Sequence, residues 1–301
     1  MPGLLLFAVA GFAASLVDGA LGMGFGPTSS SILLISGLAP TAVSASVNLA
    51  KVATGVVAAL SHWRFYNLDR GLVINLAVPG CVGAIAGVTV LASIEGATLR
   101  PYLAMMLTVI GARILVRFAR PFQARKHHLS PPDARGKRML IYDQRGVSAA
   151  AFVGGITNGM IGAWGPVVTP FLLHRGVRPN YAIGCANTAE VAVAATASFS
   201  LIASLGRGGF NGAVVMAMLI GGVIAAPVAA WFIRKVPPRP VGLAVAALLL
   251  LTNARELAEW AGLGSSPWMW AIYLSIVAIV VIAFVAWRSP VGVSSASATS
   301  P

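Results

Sequence analysis

Long apolar stretches separated by short polar or glycine-rich turns follow one another along almost the whole chain. Most approach the roughly 20 apolar residues that a helix needs to cross a bilayer. The stretches before a central basic segment are 3–17, 21–38, 41–61, 71–93 and 99–118. Those after it are 147–157, 160–173, 181–205, 210–233, 239–254 and 268–287. The pattern predicts an all-α integral membrane protein with no separate soluble domain.

The composition agrees with this pattern, because 57% of the 301 residues are hydrophobic and only 10% are charged. Soluble domains carry about 25% charged residues. The formal net charge of +13 comes largely from one connector, 120–145, and from short loops. Such clustering is typical of the positive-inside bias of membrane proteins, so we expect no nucleic-acid partner. The first residues lack the basic region of a cleaved signal peptide, which indicates a first membrane element.

Two parts of the chain resemble each other at a constant offset of 139 residues. GFGPTSSSILLISGLAP at 24–40 aligns with AWGPVVTPFLLHRGVRP at 163–179, and both contain Gly-Pro, an apolar run and Gly-x-x-Pro. The register continues without a gap to Asn48 with Asn187 and to Lys51 with Glu190. The sequence therefore predicts an internal duplication.

The duplication divides the chain into five parts. A first membrane repeat covers 1–118, a basic cytoplasmic connector covers 119–146, and a second membrane repeat covers 147–258. An additional C-terminal membrane helix is expected at 259–288 and a small, polar, disordered tail at 289–301.

The distribution of Lys and Arg predicts the orientation of these segments. If the connector is cytoplasmic and 147–173 forms a hairpin of two short elements, every strongly basic loop is cytoplasmic. The equivalent turns at Pro40 and Pro179 then face opposite sides, which favours inverted repeats, an arrangement common in secondary transporters. A parallel repeat, in which each glycine-rich stretch interrupts one long span, is the alternative. We expect a multi-pass protein of the cell inner (cytoplasmic) membrane.

Each repeat contains a glycine-rich break, DGALGMGFGPTSSS at 18–31 and GGITNGMIGAWGPVVTP at 154–170. Closely spaced glycines and a proline weaken helix continuity. A helix broken there leaves N–H groups at the start of its second half, and this end attracts anions. Two such breaks meeting near the membrane midplane would form a substrate site. Close helix packing through small residues is the alternative.

The predicted site residues come from the breaks and from the helix that follows each of them. The residues predicted to bind substrate are Gly24, Gly26, Pro27, Thr28, Asn48, Lys51, Gly165, Pro166, Thr169 and Asn187. Glu190 and Asp18 are predicted to carry a coupling proton, because burial favours the protonated form of a carboxyl group. Lys51 and Glu190 could instead form an ion pair that locks the repeats together, or Lys51 could extend to a membrane interface.

Arginines lie late in the final helix of each repeat, at equivalent places, Arg113 and Arg255. Acidic residues follow Arg255, and this pattern is typical of a charge cluster at a helix end. Further arginines follow Arg113, namely Arg117 and Arg120. They predict an anchor near the cytoplasmic face.

The paired breaks, each followed by an apolar run, Gly-x-x-Pro and a small-residue helix, resemble the TauE/SafE sulfite exporter family. HWRFYNLDRGLVINLAVPGCVGAIAG at 62–87 is similar to the polar loop and proline-glycine helix of that family. The resemblance covers residues 5–255. Met23 and Phe25 in the first break, and Ala163 and Trp164 in the second, depart from the longer glycine runs of the family. The resemblance implies export of small anions such as sulfite, sulfoacetate or related organosulfur compounds.

We therefore predict a secondary transporter that exports small organosulfur or other organic anions, with proton coupling as an addition. No P-loop is present, no nucleophile lies beside a base, and the two cysteines lack metal-binding spacing, so neither an enzyme nor a cofactor or metal is expected. An importer on the same fold and a non-transporting scaffold or sensor are the alternatives. The expected partners are the small anion and membrane lipid, and a second copy of the chain is a further candidate.

Overall fold

The computed structural model describes residues 2–120, 142–206, 212–235, 237–264 and 266–288. These residues form α-helices and no strands, which confirms the all-α prediction. The first five helices are α1 Pro2–Leu21, α2 Phe25–Ile35, α3 Pro40–Arg64, α4 Arg70–Ser93 and α5 Gly96–Ala119. The others are α6 Val147–Ile161, α7 Gly165–His174, α8 Pro179–Leu205, α9 Gly212–Lys235, α10 Pro238–Trp260 and α11 Trp268–Arg288.

Six of these helices are long and apolar enough to cross a membrane: α3, α4, α5, α8, α10 and α11. Their large apolar side chains include many that are exposed, such as Leu274 and Ile282 on α11. Exposed apolar side chains on long helices are expected where the surrounding solvent is lipid. The prediction of a multi-pass membrane protein is confirmed. Most of the predicted connector and the whole predicted tail, 289–301, lie outside the described residues.

The repeated Gly-x-x-Pro motif forms the same turn in both repeats. Gly37 after α2 and Gly176 after α7 both have φ 86°, a left-handed conformation that glycine adopts without strain. Pro40 and Pro179 then begin α3 and α8, where a missing N–H group leaves no helical hydrogen bond unmade. The motif therefore encodes a helix end followed by a helix start.

The two repeats interlock, with α1–α5 equivalent to α6–α10. The first helix of each repeat packs along the fourth helix of the other, so α1 lies against α9 and α6 lies against α4. Glycines permit both contacts: a Cβ on Gly221 would overlap the carbonyl group of Ala8, and a Cβ on Gly155 would overlap that of Gly80. Small residues commonly let membrane helices approach in this way. Helix packing therefore explains these glycines, including Gly155 in the second glycine-rich segment.

Two pairs of equivalent helices, α3 with α8 and α5 with α10, run antiparallel to each other. Asn67, just after α3, accepts a hydrogen bond from Asn180 at the start of α8 at 2.9 Å. Similarly, the carbonyl group of Arg120 at the end of α5 accepts one from Arg239 at the start of α10 at 3.0 Å. These contacts gather the basic loops at one end of the helix bundle, here called the arginine end. The turn at Pro40 lies at the opposite end of α3.

The second broken helix is a hairpin whose two outer ends lie together at the arginine end. Asp143, before α6, forms an ion pair with Arg175, after α7, and its N–H group donates to the Arg175 carbonyl at 3.1 Å. The N–H of Arg145 and the Arg175 guanidinium hold the pKa of Asp143 below its ordinary value. The pair α6–α7 thus enters and leaves at the same end, as the charge pattern predicts.

Candidate substrate site

Both breaks depend on glycines in conformations that other residues rarely adopt. Between α1 and α2, Gly22 has φ 64° and Gly24 has φ 135°. Between α6 and α7, Gly162 has φ 67°. A Cβ on Gly24 would also lie 2.6 Å from the Val17 side chain. The first break therefore requires glycine at this predicted site position.

The two breaks meet inside the protein. A Cβ on Gly26 would overlap the carbonyl group of Gly162, and a Cβ on Gly165 would lie 3.0 Å from the Cβ of Met23. These two contacts are equivalent under the duplication, since Gly26 corresponds to Gly165 and Met23 to Gly162. The glycines at the start of α2 and α7 thus let the two hairpin tips touch.

Lys51 and Glu190 lie at the depth of this meeting point and contact each other directly. Each is the twelfth residue of its helix, about 17 Å from the helix start at 1.5 Å per residue, which is near the middle of a bilayer core. The Lys51 ammonium also donates to the Gly162 carbonyl at 2.8 Å. Only 8% of the Lys51 side chain is exposed, so the interpretation that it extends to an interface is wrong.

A small cavity of about 50 Å³ borders this ion pair. It is lined by Asp18, Phe25, Lys51, Thr54, Gly55, Ala58, Asn187 and Glu190. The Asp18 carboxylate accepts a hydrogen bond from the Phe25 N–H at 3.4 Å, at the start of α2. The cavity has room for one or two waters, each of which takes about 30 Å³ in the liquid. A larger ion would require the hairpin tips to separate.

The last carbonyl groups of α6 are bound by polar side chains of the first repeat. A helix end leaves such groups without helical partners. Four side chains donate hydrogen bonds to backbone carbonyl oxygens: Ser30 to Ile161 at 2.7 Å, Ser44 to Gly159 at 2.6 Å, Asn48 to Asn158 at 3.1 Å and Lys51 to Gly162 at 2.8 Å. The positive charge of Lys51 also suits the negative end of the α6 dipole.

Asn48 pairs with Asn158 and not with its sequence equivalent Asn187. Its amide donates to the Asn158 carbonyl, and its side-chain oxygen accepts from the Asn158 amide at 2.7 Å. Asn48 therefore holds the second break. Asn187 is half-buried and lines the small cavity beside Lys51 and Glu190. Sequence reasoning missed Asn158, although it is a polar side chain within the second break.

The remaining predicted residues lie around the same meeting point. The Thr28 and Thr169 hydroxyls are buried and have no hydrogen-bond partner among the described residues. Pro27 lies in the first turn of α2 and Pro166 in the first turn of α7. Pro166 lines a second, larger cavity together with Met23, whereas Phe25 lines the small one. Met23 and Phe25 of the first break therefore face different cavities.

Trp164 is buried in the helix bundle, a position that the sequence does not predict. The side chain is completely buried and its indole N–H donates to the Ala186 carbonyl of α8 at 3.0 Å. A Cβ on Gly80 would come within 2.7 Å of the Trp164 ring, so α4 must carry glycine there. Trp164 wedges the start of α7 between α4 and α8. No group of three His, Cys, Asp or Glu side chains that could hold a metal occurs within the described ranges.

Comparison with known proteins agrees with this architecture. A family model described as "Sulfite exporter TauE/SafE" matches residues 7–255. "Probable membrane transporter protein YtnM" of Bacillus subtilis (strain 168) is 37% identical over 262 residues, which cover 86% of this chain and 85% of the relative. No solved structure matches the chain. Both descriptions name transport and not catalysis. The chain is a membrane transporter that belongs to the TauE/SafE sulfite exporter family.

Proposed function

We propose that this transporter exports small organosulfur or other organic anions across the cytoplasmic membrane, and that a proton moves with the anion. The observation that carries the proposal is the Lys51–Glu190 pair beside a polar cavity, where the two broken helices meet. Lys51 supplies a positive charge for the anion, and Asn187, Thr28 and Thr169 supply amide and hydroxyl donors. The description of the family as sulfite exporters supports the outward direction.

The charges around the cavity support proton coupling. Asp18 of α1, Lys51 of α3 and Glu190 of α8 line it, so the site has a net charge of −1 when all three are ionised. An anion would compete with Glu190 for Lys51. Protonation of Glu190 releases the ammonium and removes the repulsion, so anion and proton binding favour each other. The two then cross in the same direction.

The proposed mechanism is alternating access between inverted repeats. The inverted arrangement is supported by the antiparallel course of α3 and α8 and of α5 and α10, and by the opposite positions of the equivalent turns at Pro40 and Pro179. The small volume of the cavity suits a closed state between two open ones. The proposed cytoplasmic location of the arginine end rests on the positive-inside bias.

Release from proteoliposomes tests the function. Purified protein is reconstituted and loaded with labelled sulfite, sulfoacetate or a carboxylate without sulfur, with and without a pH gradient. We expect release of the sulfur anions, accelerated when the compartment that holds the anion is acidic. Release of none of them, from protein that is shown to be folded, would contradict anion transport.

Glu190→Gln tests the coupling residue in the same vesicles. The amide mimics a protonated carboxyl group, so we expect anion movement that no longer responds to the pH gradient. An unchanged pH dependence in this variant would exclude Glu190 as the coupling residue. Net uptake without release, whichever side is acidic, would favour the importer.

A further inference from the structure

The larger cavity has a volume of about 860 Å³ and lies between α5 and α7. Met23 and Pro166, at the two breaks, line its inner part. Arg120 at the end of α5 and Pro179 at the start of α8 line its outer part. The cavity therefore extends from the meeting point of the hairpin tips to the arginine end of the protein.

Three arginines line this cavity, Arg113 and Arg117 of α5 and Arg120 directly after it. The spacing of four residues puts Arg113 and Arg117 on one face of the helix. No acidic side chain lines the cavity, and among the described residues none forms a salt bridge with these arginines. The Arg117 guanidinium contacts the Met23 sulfur at 3.7 Å. Positive charge thus reaches the first hairpin tip.

The depth of Arg113 indicates that the cavity holds water. Arg113 lies six residues before Ala119, the last residue of α5, which is about 9 Å along the helix axis. A charged side chain facing lipid at such a depth is costly, and charged residues in membrane helices normally face a water-filled space. The exposed guanidinium of Arg113 meets that condition by lining the cavity.

At the opposite end of the protein, the arginine equivalent to Arg113 has an acidic partner. GARIL at 111–115 matches NAREL at 253–257, so Arg255 corresponds to Arg113 and Glu259 to Arg117. Arg255 donates to the Glu259 carboxylate at 2.7 Å. The duplication therefore does not itself require unpaired arginines at this helix end. Among the described residues, the arginines without acidic partners belong to the end that carries the cavity.

We propose that this cavity is an entrance for small oxyanions, in which the arginines of α5 concentrate the anion and Arg117 passes it to the site at the first hairpin tip. A cleft lined by one sign of charge raises the local concentration of oppositely charged ligands. The inference rests on the proposed anion transport and adds an access route and its selecting residues. The proposed oxyanion is the soluble substrate, and the experiment distinguishes it from the headgroup of an anionic lipid, which offers the same charge.

The test measures half-saturating sulfite concentrations from each side of reconstituted vesicles. For entry from the arginine end, we expect Arg113→Gln/Arg117→Gln to raise this concentration about tenfold, with less change at high ionic strength. Entry from the other side should not change. The single variant Arg117→Lys should keep most of the wild-type affinity for sulfite, because lysine retains the positive charge. Arg255→Gln is the matched control and should have no effect on either side.

Two further arms keep the outcome interpretable. In vesicles of phosphatidylcholine alone, the double variant should show the same loss of sulfite affinity. A loss of affinity that occurs only in vesicles with anionic lipid would assign the arginines to lipid headgroups and overturn the entrance. Equal half-saturation in wild type and in the variant would overturn the entrance but leave transport standing. If Arg113→Gln prevents folding, Arg120→Gln at the outer part of the cavity replaces it.

Equilibrium binding of labelled sulfite to the purified protein separates the two proposals. Binding by the wild type without flux, lost in the arginine variants, would retain the entrance and contradict transport. Neither binding nor flux in the folded wild type would overturn both.

Discussion

The two broken helices have equivalent sequences but differ in how the rest of the protein holds them. At the end of α6, the carbonyl groups are bound by Ser30, Ser44, Asn48 and Lys51 of the first repeat. The equivalent residues of the second repeat are Thr169, Ile183, Asn187 and Glu190. The Thr169 hydroxyl has no hydrogen-bond partner in the described part of the chain, Ile183 has no polar group, and an ionised Glu190 can only accept.

This difference shows how a duplicated fold can divide two tasks. The second tip is fastened to α3 by a row of hydrogen bonds, which makes it a fixed part of the structure. We propose that the side chains opposite the first tip that carry free donors, Thr169 and Asn187, are the ones that bind a substrate. We therefore expect substitutions on α3 to affect stability first and substitutions at the equivalent places on α7 and α8 to affect transport first.

The largest effect is expected for Lys51→Met. This change leaves the buried Glu190 carboxylate and the Gly162 carbonyl without their partner. Removing one member of a buried ion pair costs about 3–5 kcal/mol, so we expect a strongly lowered unfolding temperature at neutral pH and no anion flux. Thermal unfolding of the purified protein and release from proteoliposomes measure the two effects.

The double variant Lys51→Met/Glu190→Gln separates a structural ion pair from a transport site. Neither side chain then carries a charge, so stability should return towards that of the wild type while flux remains absent. Flux equal to the wild type would show that the pair only locks the repeats together.

The next largest effect is expected for Asn48→Ala, whose unfolding temperature and flux are compared with those of Asn187→Ala. Asn48→Ala leaves the buried Asn158 amide without its acceptor, which costs about 1–3 kcal/mol, and the unfolding temperature should fall. Asn187→Ala should leave the unfolding temperature close to that of the wild type but weaken flux. The double variant should insert into the membrane and transport nothing. Full flux in the double variant would show that these helix faces are not the site.

A smaller effect is expected for Ser30→Ala, whose stability and sulfite binding are compared with those of Thr169→Val. The Ser30 hydroxyl binds the Ile161 carbonyl, so its loss should cost about 1 kcal/mol of stability. Thr169→Val keeps the shape and removes a hydroxyl that has no partner among the described groups, so stability should not fall. Weaker sulfite binding is expected only for Thr169→Val. Equal binding in both variants would contradict a role for this hydroxyl at the site.

The smallest effect is expected at the outer end of the second hairpin. The folded protein lowers the pKa of Asp143, so its contribution to stability is present above the ordinary value of 3.8 and disappears as pH falls through the lowered one. Asp143→Asn should lower the unfolding temperature slightly at neutral pH and leave flux unchanged. The difference from the wild type should vanish in strong acid, and a constant difference would contradict the ion pair.

Much of the fold follows from local sequence chemistry. Gly37 and Gly176 end one helix, Pro40 and Pro179 start the next, and both motifs can be recognised without a structure because only backbone conformation decides them. The break at Gly24 and the length of the apolar spanning helices can also be recognised without a structure. The Lys51–Glu190 contact is one of three arrangements that the sequence predicts, since the duplication puts both residues at the same depth.

The amino-acid pattern is enough to predict the membrane class, the helices, the duplication and the set of polar residues near the centre. The packing of the two repeats is what makes Asn48 bind Asn158, buries Trp164 beneath α8 and places the arginines of α5 beside a cavity. The physical reason is that a buried polar group in a membrane must find a partner. Which partner it reaches depends on how closely the two hairpin tips approach, and their glycines set that distance only after both repeats are packed.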